Sequence, residues 1–409
     1  MPFRRLLLGL LLLFAVQARG EHSILILVSL DGFRWDYLEK YATETPCLHA
    51  LAADGVRAER MISCFPTLTF PNHYTIVTGL RPEHHGIVNN TFYDPVLKAG
   101  FAYKQHACAI DGRWWGGEPI WITAVKQGRR SACMFWPGSE AEIAGARPTY
   151  YKTFDGRLTS AQRTDALLAW LSLPAGQRPG FCTLYFDVVD HAGHDYGPDA
   201  PETAGAVREV DAALDRLLAG LTTLGLRGAT DIVIISDHGM TAIEDGHTVF
   251  LDDVIDLKAV QVECLGPQAG LRPLQGTPAA LRAGLKRGLP ASLHVCLREE
   301  IPGRFQYRDN PRIPPVLIFA DEGWEVTTHA DFAKRRKPEY GDHGYDSQLI
   351  SMGATFIAAG PAFRHGVVLP PFENIQVYNL LCAVAGLHPA PNDGDNRLVR
   401  STLISPSPQ

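Results

Sequence analysis

The chain has 409 residues, 46% of them hydrophobic and 20% charged, a composition typical of a globular protein and not of a disordered or repetitive one. Its 38 Lys and Arg against 44 Asp and Glu give a formal charge of −6, so no overall basic field favours a nucleic acid as a specific partner. An anionic substrate would therefore need a local source of positive charge, such as bound metal ions.

Residues 1–20 have the pattern of a secretory signal peptide, in which Arg4 and Arg5 precede the apolar run Leu6–Val16. This run is shorter than the roughly 20 apolar residues that span a bilayer, so we expect cleavage and no stable membrane insertion; an uncleaved anchor is the alternative. The pattern predicts a mature chain of residues 21–409 that is secreted or periplasmic.

Eight cysteines are scattered along the sequence without a C-x-x-C pair, so they do not form a zinc-finger pattern. Several of them lie in apolar segments such as Phe181–Leu184, where a buried thiol is expected. Export would permit disulfides, and the sequence leaves their pairing open.

Predicted strands and helices alternate from the start of the mature chain. Ile24–Leu30 is a continuous apolar run, which predicts a strand covered on both faces. Asp31 follows it directly, at the edge where open α/β sheets bind ligands, although Asp before Gly also forms turns. A short helix near Leu48–Ala53 and a return strand near Val56–Ile62 are expected next.

Thr69 precedes the next predicted helix. Pro71 suits the first turn of a helix, Thr75–Thr78 can continue it, and Gly79 can end it. Thr69 is therefore expected at or beside the helix N-terminus, where unpaired backbone N–H groups attract anions. Because Thr is also a preferred capping residue, a purely capping role is the alternative on this segment alone.

The segment from Phe92 to Tyr151 is irregular and rich in aromatic residues, most of which we expect in the core. The alternation then resumes with a predicted strand at Phe181–Phe186, an amphipathic helix after Pro201 and a predicted strand at Asp231–Ser236. This order is typical of a mostly parallel sheet with right-handed crossovers.

Residues 249–326 interrupt this alternation with many Pro and Gly residues and short apolar patches, which predict a small inserted lobe. The main sheet is expected to resume near residues 343–346 and 355–361. The predicted fold class is therefore α/β, with a central, mostly parallel sheet flanked by helices and a small α+β insertion.

Carboxylates and histidines are expected together at one rim of this sheet: Asp31, Asp190, His194, Asp237, His238 and His343. Three predicted strand ends deliver the carboxylates, and His194 lies four residues after Asp190, close enough for both to bind one ion. Oxygen and imidazole ligands without thiolate suit Zn²⁺, with Mn²⁺ or another divalent ion as alternatives. Together these residues predict a metal centre.

Five motifs, in this order, resemble those of the nucleotide pyrophosphatase/phosphodiesterase family, a branch of the alkaline phosphatase superfamily. They are Ser29–Arg34, Phe65–Tyr74, Asp190–His194, Ser236–Met240 and Gly341–Asp346. The resemblance covers essentially the whole mature chain and implies an alkaline-phosphatase-like catalytic domain, without the additional domains of many animal members.

The resemblance also implies a site with two Zn²⁺ ions per chain. One ion would be bound by Asp190, His194 and His343, and the other by Asp31, Asp237, His238 and the Thr69 hydroxyl. Thr69 would be the nucleophile, and Asn90 with the Thr69 backbone N–H would support the developing phosphoryl charge. Phe70 would stack on one face of a nucleobase, and Tyr151, or less securely Tyr150, on the other.

The residue types suit this chemistry. A threonine hydroxyl is a weak nucleophile at neutral pH, but coordination to Zn²⁺ favours its ionised form, so no separate histidine base is needed. The implied reaction converts nucleotide diesters and pyrophosphates, such as ATP or dinucleotides, into nucleoside 5′-monophosphates through a threonyl-phosphate ester. The expected partner is thus a small nucleotide, acted on by a monomeric enzyme.

Some family members carry Lys directly before the nucleophile or directly after the position of Asn90. Here Leu68 and Thr91 stand at these positions, so neither supplies positive charge for a long polyphosphate tail, and the preferred substrate stays open. A phospholipid or choline-phosphodiester hydrolase on the same fold is an alternative, because an aromatic pocket also binds a choline cation. A monoesterase lacks an obvious basic clamp, and the intact Thr69 argues against a catalytically silent binding protein.

Overall fold

The computed structural model describes residues 23–244, 246–335 and 338–404, so the expected signal peptide at residues 1–20 lies outside the described residues. An eight-stranded sheet forms the centre. Its strands, in chain order, are β1 (Ile24–Leu30), β2 (Val56–Ala58), β3 (Ser131–Met134), β4 (Tyr150–Tyr151), β5 (Phe181–Phe186), β6 (Thr230–Ile235), β7 (Phe356–Ala359) and β8 (Val367–Leu369). The spatial order is β8-β2-β7-β6-β1-β5-β3-β4.

The sheet is mostly parallel, as predicted. β1 pairs in parallel with β5 and with β6, whereas β7 runs antiparallel to β6 and β2. All seven residues of β1 are buried. Leu25 and Leu27 belong to one hydrophobic core, while Ile26 and Val28 belong to the core on the opposite face. A continuous apolar strand is explained by this burial on both faces.

Helices cover both faces of the sheet. Those flanking it or connecting its strands are Tyr37–Lys40, Pro46–Asp54, Thr69–Thr78, Pro82–His85, His106–Ala109, Ile120–Lys126, Ser160–Leu171, Val188–Tyr196, Pro201–Thr223, Val377–Ala385 and Arg397–Thr402. The longest, Pro201–Thr223, buries the predicted apolar stripe, including Val207, Leu214 and Leu221. Within the described residues, no helix combines the length and apolar character needed to cross a membrane.

Residues 248–327 form a separate layer. A four-stranded antiparallel sheet consists, in spatial order, of Val260–Cys264, Gln268–Pro273, Val316–Ala320 and Leu293–Leu297, and helix Pro278–Gly288 packs on it. The chain enters and leaves this layer through the parallel strands Thr248–Phe250 and Glu325–Thr327. We propose that the region predicted as an insertion, residues 249–326, is a lobe of the catalytic domain formed by residues 21–409.

Short two-stranded pairs complete the described structure: Met61–Ile62 with Phe372–Glu373, Thr91–Asp94 with Ala99–Ala102, and Thr241–Ala242 with Gly341–Asp342; His329–Phe332 is a further short helix. All eight cysteines are free thiols, six of them buried, whereas Cys264 and Cys296 are partly exposed. The expectation of buried thiols therefore holds for most of them.

The register of the central strands brings their carboxyl ends to one edge. Leu30 pairs with Phe186 across β1 and β5, and Ser29 pairs with Ile235 across β1 and β6. The segments that follow these three strands consequently start side by side.

Candidate active site

Thr69 is the first residue of helix Thr69–Thr78, and Leu68, not Thr69, occupies the N-cap position with extended backbone. Gly79 ends the helix in the left-handed conformation, as predicted. The Thr69 hydroxyl lies 3.3 Å from His238 Nε2, whereas no side chain caps this helix. The purely capping interpretation of Thr69 is therefore wrong, and its N–H, at the first helical position, has no partner within the helix.

Asn90 is anchored at the start of the helix that begins with Thr69. Its Oδ1 accepts a hydrogen bond from the backbone N–H of Phe70 at 2.9 Å. Because this contact requires the amide oxygen, the Nδ2 donors of Asn90 remain for a ligand. Asn90 and Thr69 both line one large cleft, as their expected roles require.

Asp190, His194 and His343 form the first candidate metal group, in which one ligand atom from each lies within 4.8 Å of the others. Nε2 of His194 and Nε2 of His343 each lie 3.5 Å from Asp190 Oδ1. Asp190 and His194 share helix Val188–Tyr196, so their spacing of four residues places them on the same side.

Asp31, Asp190 and His238 form a second group by the same distance criterion. His238 Nε2 lies 3.4 Å from Asp31 Oδ1 and 3.0 Å from Asp237 Oδ2. The structure thus brings together all six carboxylate and histidine residues predicted from the sequence, and places the Thr69 hydroxyl against the second group.

The three predicted histidine ligands are oriented in the same way. Each Nδ1 lies 2.8–2.9 Å from a backbone carbonyl oxygen: Gly341 for His194, Gly239 for His238 and Thr67 for His343. A carbonyl oxygen only accepts hydrogen bonds, so Nδ1 carries the proton and Nε2 directs a lone pair towards the carboxylates. Histidines that bind a metal through one ring nitrogen typically donate a hydrogen bond from the other, as these three do from Nδ1.

Carboxylate oxygens at the centre of the site are buried. Asp31 Oδ1 and Asp190 Oδ1 are buried, with no hydrogen-bond partner within the described part of the chain. Asp237 Oδ2 is also buried, and its neighbours are two histidine nitrogens, His238 Nε2 at 3.0 Å and His73 Nδ1 at 3.2 Å. Burial, together with repulsion from Asp237 and Asp190, raises the pKa of Asp31 well above its usual value. Three such carboxylates and an ionised Thr69 would be neutralised by two divalent cations, so the residues present fit a two-metal centre.

The electrostatic surroundings of His343 suit a metal ligand. Burial, together with repulsion from His238 and His194, lowers its pKa well below the usual value, which favours the neutral imidazole that binds a metal. Its ring stacks on that of His238, with the ring centroids 3.5 Å apart. Two protonated rings in this position would repel each other.

Gly32 explains why an Asp-Gly turn follows β1. Its φ is +68°, and a Cβ atom there would lie 2.8 Å from the Cα of Asp190. Glycine therefore allows the turn that carries Asp31 to pack directly against the backbone of Asp190. The two carboxylates are close because no side chain separates these segments.

His73 and Tyr185 were not predicted as site residues. The Tyr185 hydroxyl donates to Asp31 Oδ2 at 2.5 Å, and His73 Nδ1 lies 3.2 Å from Asp237 Oδ2. His73 lies within the Phe65–Tyr74 motif, but its distance from Asp237 along the chain gave no sign of this contact. Tyr185 lies in a strand whose apolar sequence is typical of a core.

The site opens into a cleft of about 1300 Å³. The aromatic residues that line it include Phe70, Tyr103, Trp136 and Phe154. The Phe70 ring packs edge-on against that of Phe101, with ring centroids 6.0 Å apart. One part of the cleft therefore suits a flat aromatic group close to Thr69.

Tyr151, predicted to stack on the base opposite Phe70, is placed outside the lining of the cleft. It forms part of the outermost strand, β4, is 39% exposed and is not among the described residues that line the cleft. Tyr150 instead packs near Trp170 and donates to the Gln177 carbonyl. Phe154, three residues after Tyr151, lines the cleft, and its ring lies 5.0 Å from that of Phe135. An irregular segment gives no periodicity from which this choice could be predicted.

Leu68 and Thr91 line the cleft, where they add no positive charge. Lys104 and Arg335 also line it, and neither was identified from the sequence. Arg335 lies 2.6 Å from Glu325 and 3.3 Å from Glu339, so nearby carboxylates balance its charge.

Residues 25–346 match the sequence profile of the family described as type I phosphodiesterase / nucleotide pyrophosphatase. This chain belongs to that family. The resemblance inferred from the five motifs is therefore confirmed.

Family relatives match most of the chain. Human ectonucleotide pyrophosphatase/phosphodiesterase family member 1 is 37% identical over 395 residues, which are 93% of this chain but 42% of the human protein. An uncharacterized pyrophosphatase/phosphodiesterase of Schizosaccharomyces pombe is 39% identical over 383 residues, covering 91% of this chain and 79% of its own length. The chain thus spans less than half of the human relative.

Solved structures of the family share the fold. Murine ectonucleotide pyrophosphatase/phosphodiesterase 5 superposes with a TM-score of 0.87 at 34% identity, covering 93% of this chain and 100% of the murine chain. A second structure of that protein is an inactive threonine-to-alanine variant in complex with AMP. The predicted alkaline-phosphatase-like α/β fold is confirmed.

Proposed function

We propose that this chain is an exported, zinc-dependent nucleotide pyrophosphatase/phosphodiesterase that releases nucleoside 5′-monophosphates. The observation that carries the proposal is the position of the Thr69 hydroxyl, 3.3 Å from His238 Nε2 at the start of a helix and beside the buried carboxylates. Family membership supports the reaction class, and the AMP complex of the murine relative supports a nucleotide substrate. Relatives named as ectoenzymes and as a venom phosphodiesterase support export.

The donor set fits two zinc ions. Asp190, His194 and His343 would bind one, and Asp31, Asp237, His238 and Thr69 the other. When bound, these ions would lower the pKa of the Thr69 hydroxyl and stabilise negative charge on the phosphoryl and leaving oxygens.

The reaction then follows from the residues of the chain. The ionised Thr69 oxygen forms a bond to phosphorus as the bond from phosphorus to the leaving oxygen breaks, giving a threonyl-phosphate ester. The Asn90 Nδ2 donors and the Thr69 N–H hold the phosphoryl oxygens as their charge develops. Water next attacks phosphorus, the bond between phosphorus and the Thr69 oxygen breaks, and the nucleoside 5′-monophosphate leaves.

The aromatic part of the cleft would bind the nucleobase. Phe70 directly follows the nucleophile, and Phe154 also lines the cleft, whereas Tyr151 does not. We therefore assign the second stacking position to Phe154 in place of Tyr151. Stacking contributes roughly 1–3 kcal/mol per base and discriminates little among bases.

A substrate panel on the purified, zinc-loaded protein tests the proposal. It should contain ATP, an adenine dinucleotide, a nitrophenyl ester of AMP, glycerophosphocholine and a phosphomonoester, with Thr69→Ala as the control. We expect AMP from the first three, little turnover of the last two and none by the variant. Preferred turnover of glycerophosphocholine would instead favour the choline-phosphodiester alternative.

A further inference from the structure

His73 contacts both the nucleophile helix and a predicted metal ligand. Its side chain is fully buried, and its Nδ1 lies 2.9 Å from the Thr69 carbonyl oxygen and 3.2 Å from Asp237 Oδ2. On the other side of the ring, Nε2 lies 2.7 Å from the Ser29 hydroxyl. The ring therefore joins β1, the start of the helix and the segment after β6.

By distance alone, His73 would itself be a metal ligand, because it groups with Asp31 and Asp237. Its hydrogen bonds contradict that role. Both acceptors near Nδ1 are oxygens that cannot donate, so Nδ1 carries a proton. Nε2 is engaged by the Ser29 hydroxyl, which leaves no lone pair directed at the carboxylates. His194, His238 and His343 differ, since each directs Nε2 towards a carboxylate.

We propose that His73 is a positioning residue whose Nδ1–H fixes the position of the Asp237 carboxylate relative to the first turn of the Thr69 helix. Thr69 and Asp237 are carried by different elements, a helix and the end of a strand. Nδ1 hydrogen-bonds to the Thr69 carbonyl at 2.9 Å and keeps a 3.2 Å electrostatic contact with Asp237 Oδ2. These two contacts would set the distance between the nucleophile and one metal ligand. This inference rests on the proposed function.

The surroundings restrict the ring to this orientation. The Trp136 indole N–H donates to the His73 carbonyl at 3.0 Å, and the rings of Trp136 and Tyr185 meet the imidazole nearly edge-on, at 5.0 and 5.2 Å between centroids. Tyr185 in turn donates to Asp31. Hydrogen-bonded supports of this kind typically change metal affinity or activity about 10–100-fold when removed.

Two substitutions separate the roles of the ring nitrogens. In His73→Asn the amide nitrogen is as many bonds from Cα as Nδ1, so this variant can still donate to Asp237. In His73→Gln the amide nitrogen matches Nε2, so the donor to Asp237 is lost. Ser29→Ala is the matched control, because it removes the partner of Nε2 and leaves Nδ1 intact.

The measurements are zinc affinity by chelator competition, kcat and KM for the nitrophenyl ester of AMP, and thermal unfolding of each variant. We expect His73→Gln to weaken the binding of one of two zinc ions and to lower kcat, each by about 10–100-fold, with KM changed less than about threefold. His73→Asn and Ser29→Ala should stay within about tenfold of wild type in both properties.

Equal losses in His73→Asn and His73→Gln, or a loss in Ser29→Ala as large as that in His73→Gln, would overturn the inference, because the Nδ1 donor would not be the cause. Wild-type zinc affinity and kcat in His73→Gln would overturn it as well. If His73→Gln does not fold, the contrast between His73→Asn and Ser29→Ala still decides, since a large loss in His73→Asn alone contradicts the positioning role. An inactive zinc-loaded wild type would instead refute the proposed function.

Discussion

Asp190 Oδ1 lies 3.5 Å from Nε2 of His343. The same residue also groups with Asp31 and His238, and this oxygen is buried without a hydrogen-bond partner in the described residues. Asp190 therefore adjoins both candidate metal groups, whereas His343 belongs to the first group alone. The two candidate metal groups therefore have Asp190 in common, a carboxylate in the first turn of helix Val188–Tyr196.

This relationship predicts different metal losses for two substitutions. Asp190→Asn should weaken the binding of both zinc ions, because it removes a negative charge next to each group, whereas His343→Gln should weaken one ion. Elemental analysis after dialysis against limiting zinc checks this, with unfolding temperature as the control for folding. Loss of a single ion in Asp190→Asn would assign Asp190 to one site only.

Thr69→Ala should lower kcat by several powers of ten without lowering stability. The substitution removes the nucleophile but leaves the carboxylate and histidine ligands in place. Thr69→Ser keeps a hydroxyl at the same position and should retain measurable turnover. Single-turnover kinetics and mass spectrometry of acid-quenched protein should detect a phosphoryl-nucleoside adduct on wild type. Turnover by Thr69→Ala near the wild-type rate would refute covalent catalysis.

Phe154→Ala should raise KM for the nitrophenyl ester of AMP about tenfold, as expected for loss of one stacking face. Phe70→Ala should act in the same direction. Tyr151→Ala is the matched control and should leave KM near the wild-type value, because Tyr151 is not among the described cleft residues. A base-free nitrophenyl diester should be insensitive to all three. A larger effect of Tyr151→Ala than of Phe154→Ala would reverse our assignment.

Gly32→Ala should destabilise the fold and separate Asp31 from Asp190. The substitution strains a residue at φ +68°, which costs about 1 kcal/mol, and adds a Cβ atom 2.8 Å from the Asp190 Cα. Gly225→Ala is the control, since Gly225 has the same φ and a Cβ atom added there would meet no neighbouring atom within 4 Å. Unfolding temperatures and zinc affinity should show a larger loss in Gly32→Ala. Equal losses would attribute the whole effect to backbone strain.

Several features of this protein could be determined from the sequence by itself. β1 and β5 have their predicted bounds, because strands buried on both faces are continuous apolar runs. The helix after Thr69 ends at Gly79, because glycine accepts a positive φ. Asp31, Asp190 and Asp237 were found because they follow parallel strands, whose carboxyl ends lie at one edge of the sheet whatever their distance along the chain. The expectation that the central sheet resumes at residues 343–346 was wrong: His343 follows Gly341–Asp342, which pairs with Thr241–Ala242 in a separate two-stranded sheet.

Other features were decided only by the tertiary structure. The double position of Asp190, the bridge from His73 to Asp237 and the presence of Phe154 in the cleft all depend on contacts between segments that are remote in sequence. Residue type and spacing restrict which side chains can reach an edge of the sheet, but not which atom of each faces which neighbour. That choice follows from the packing of helices and loops around the strands. Tyr151 lies in the outermost strand, for example, whereas Phe154, only three residues later, lines the cleft.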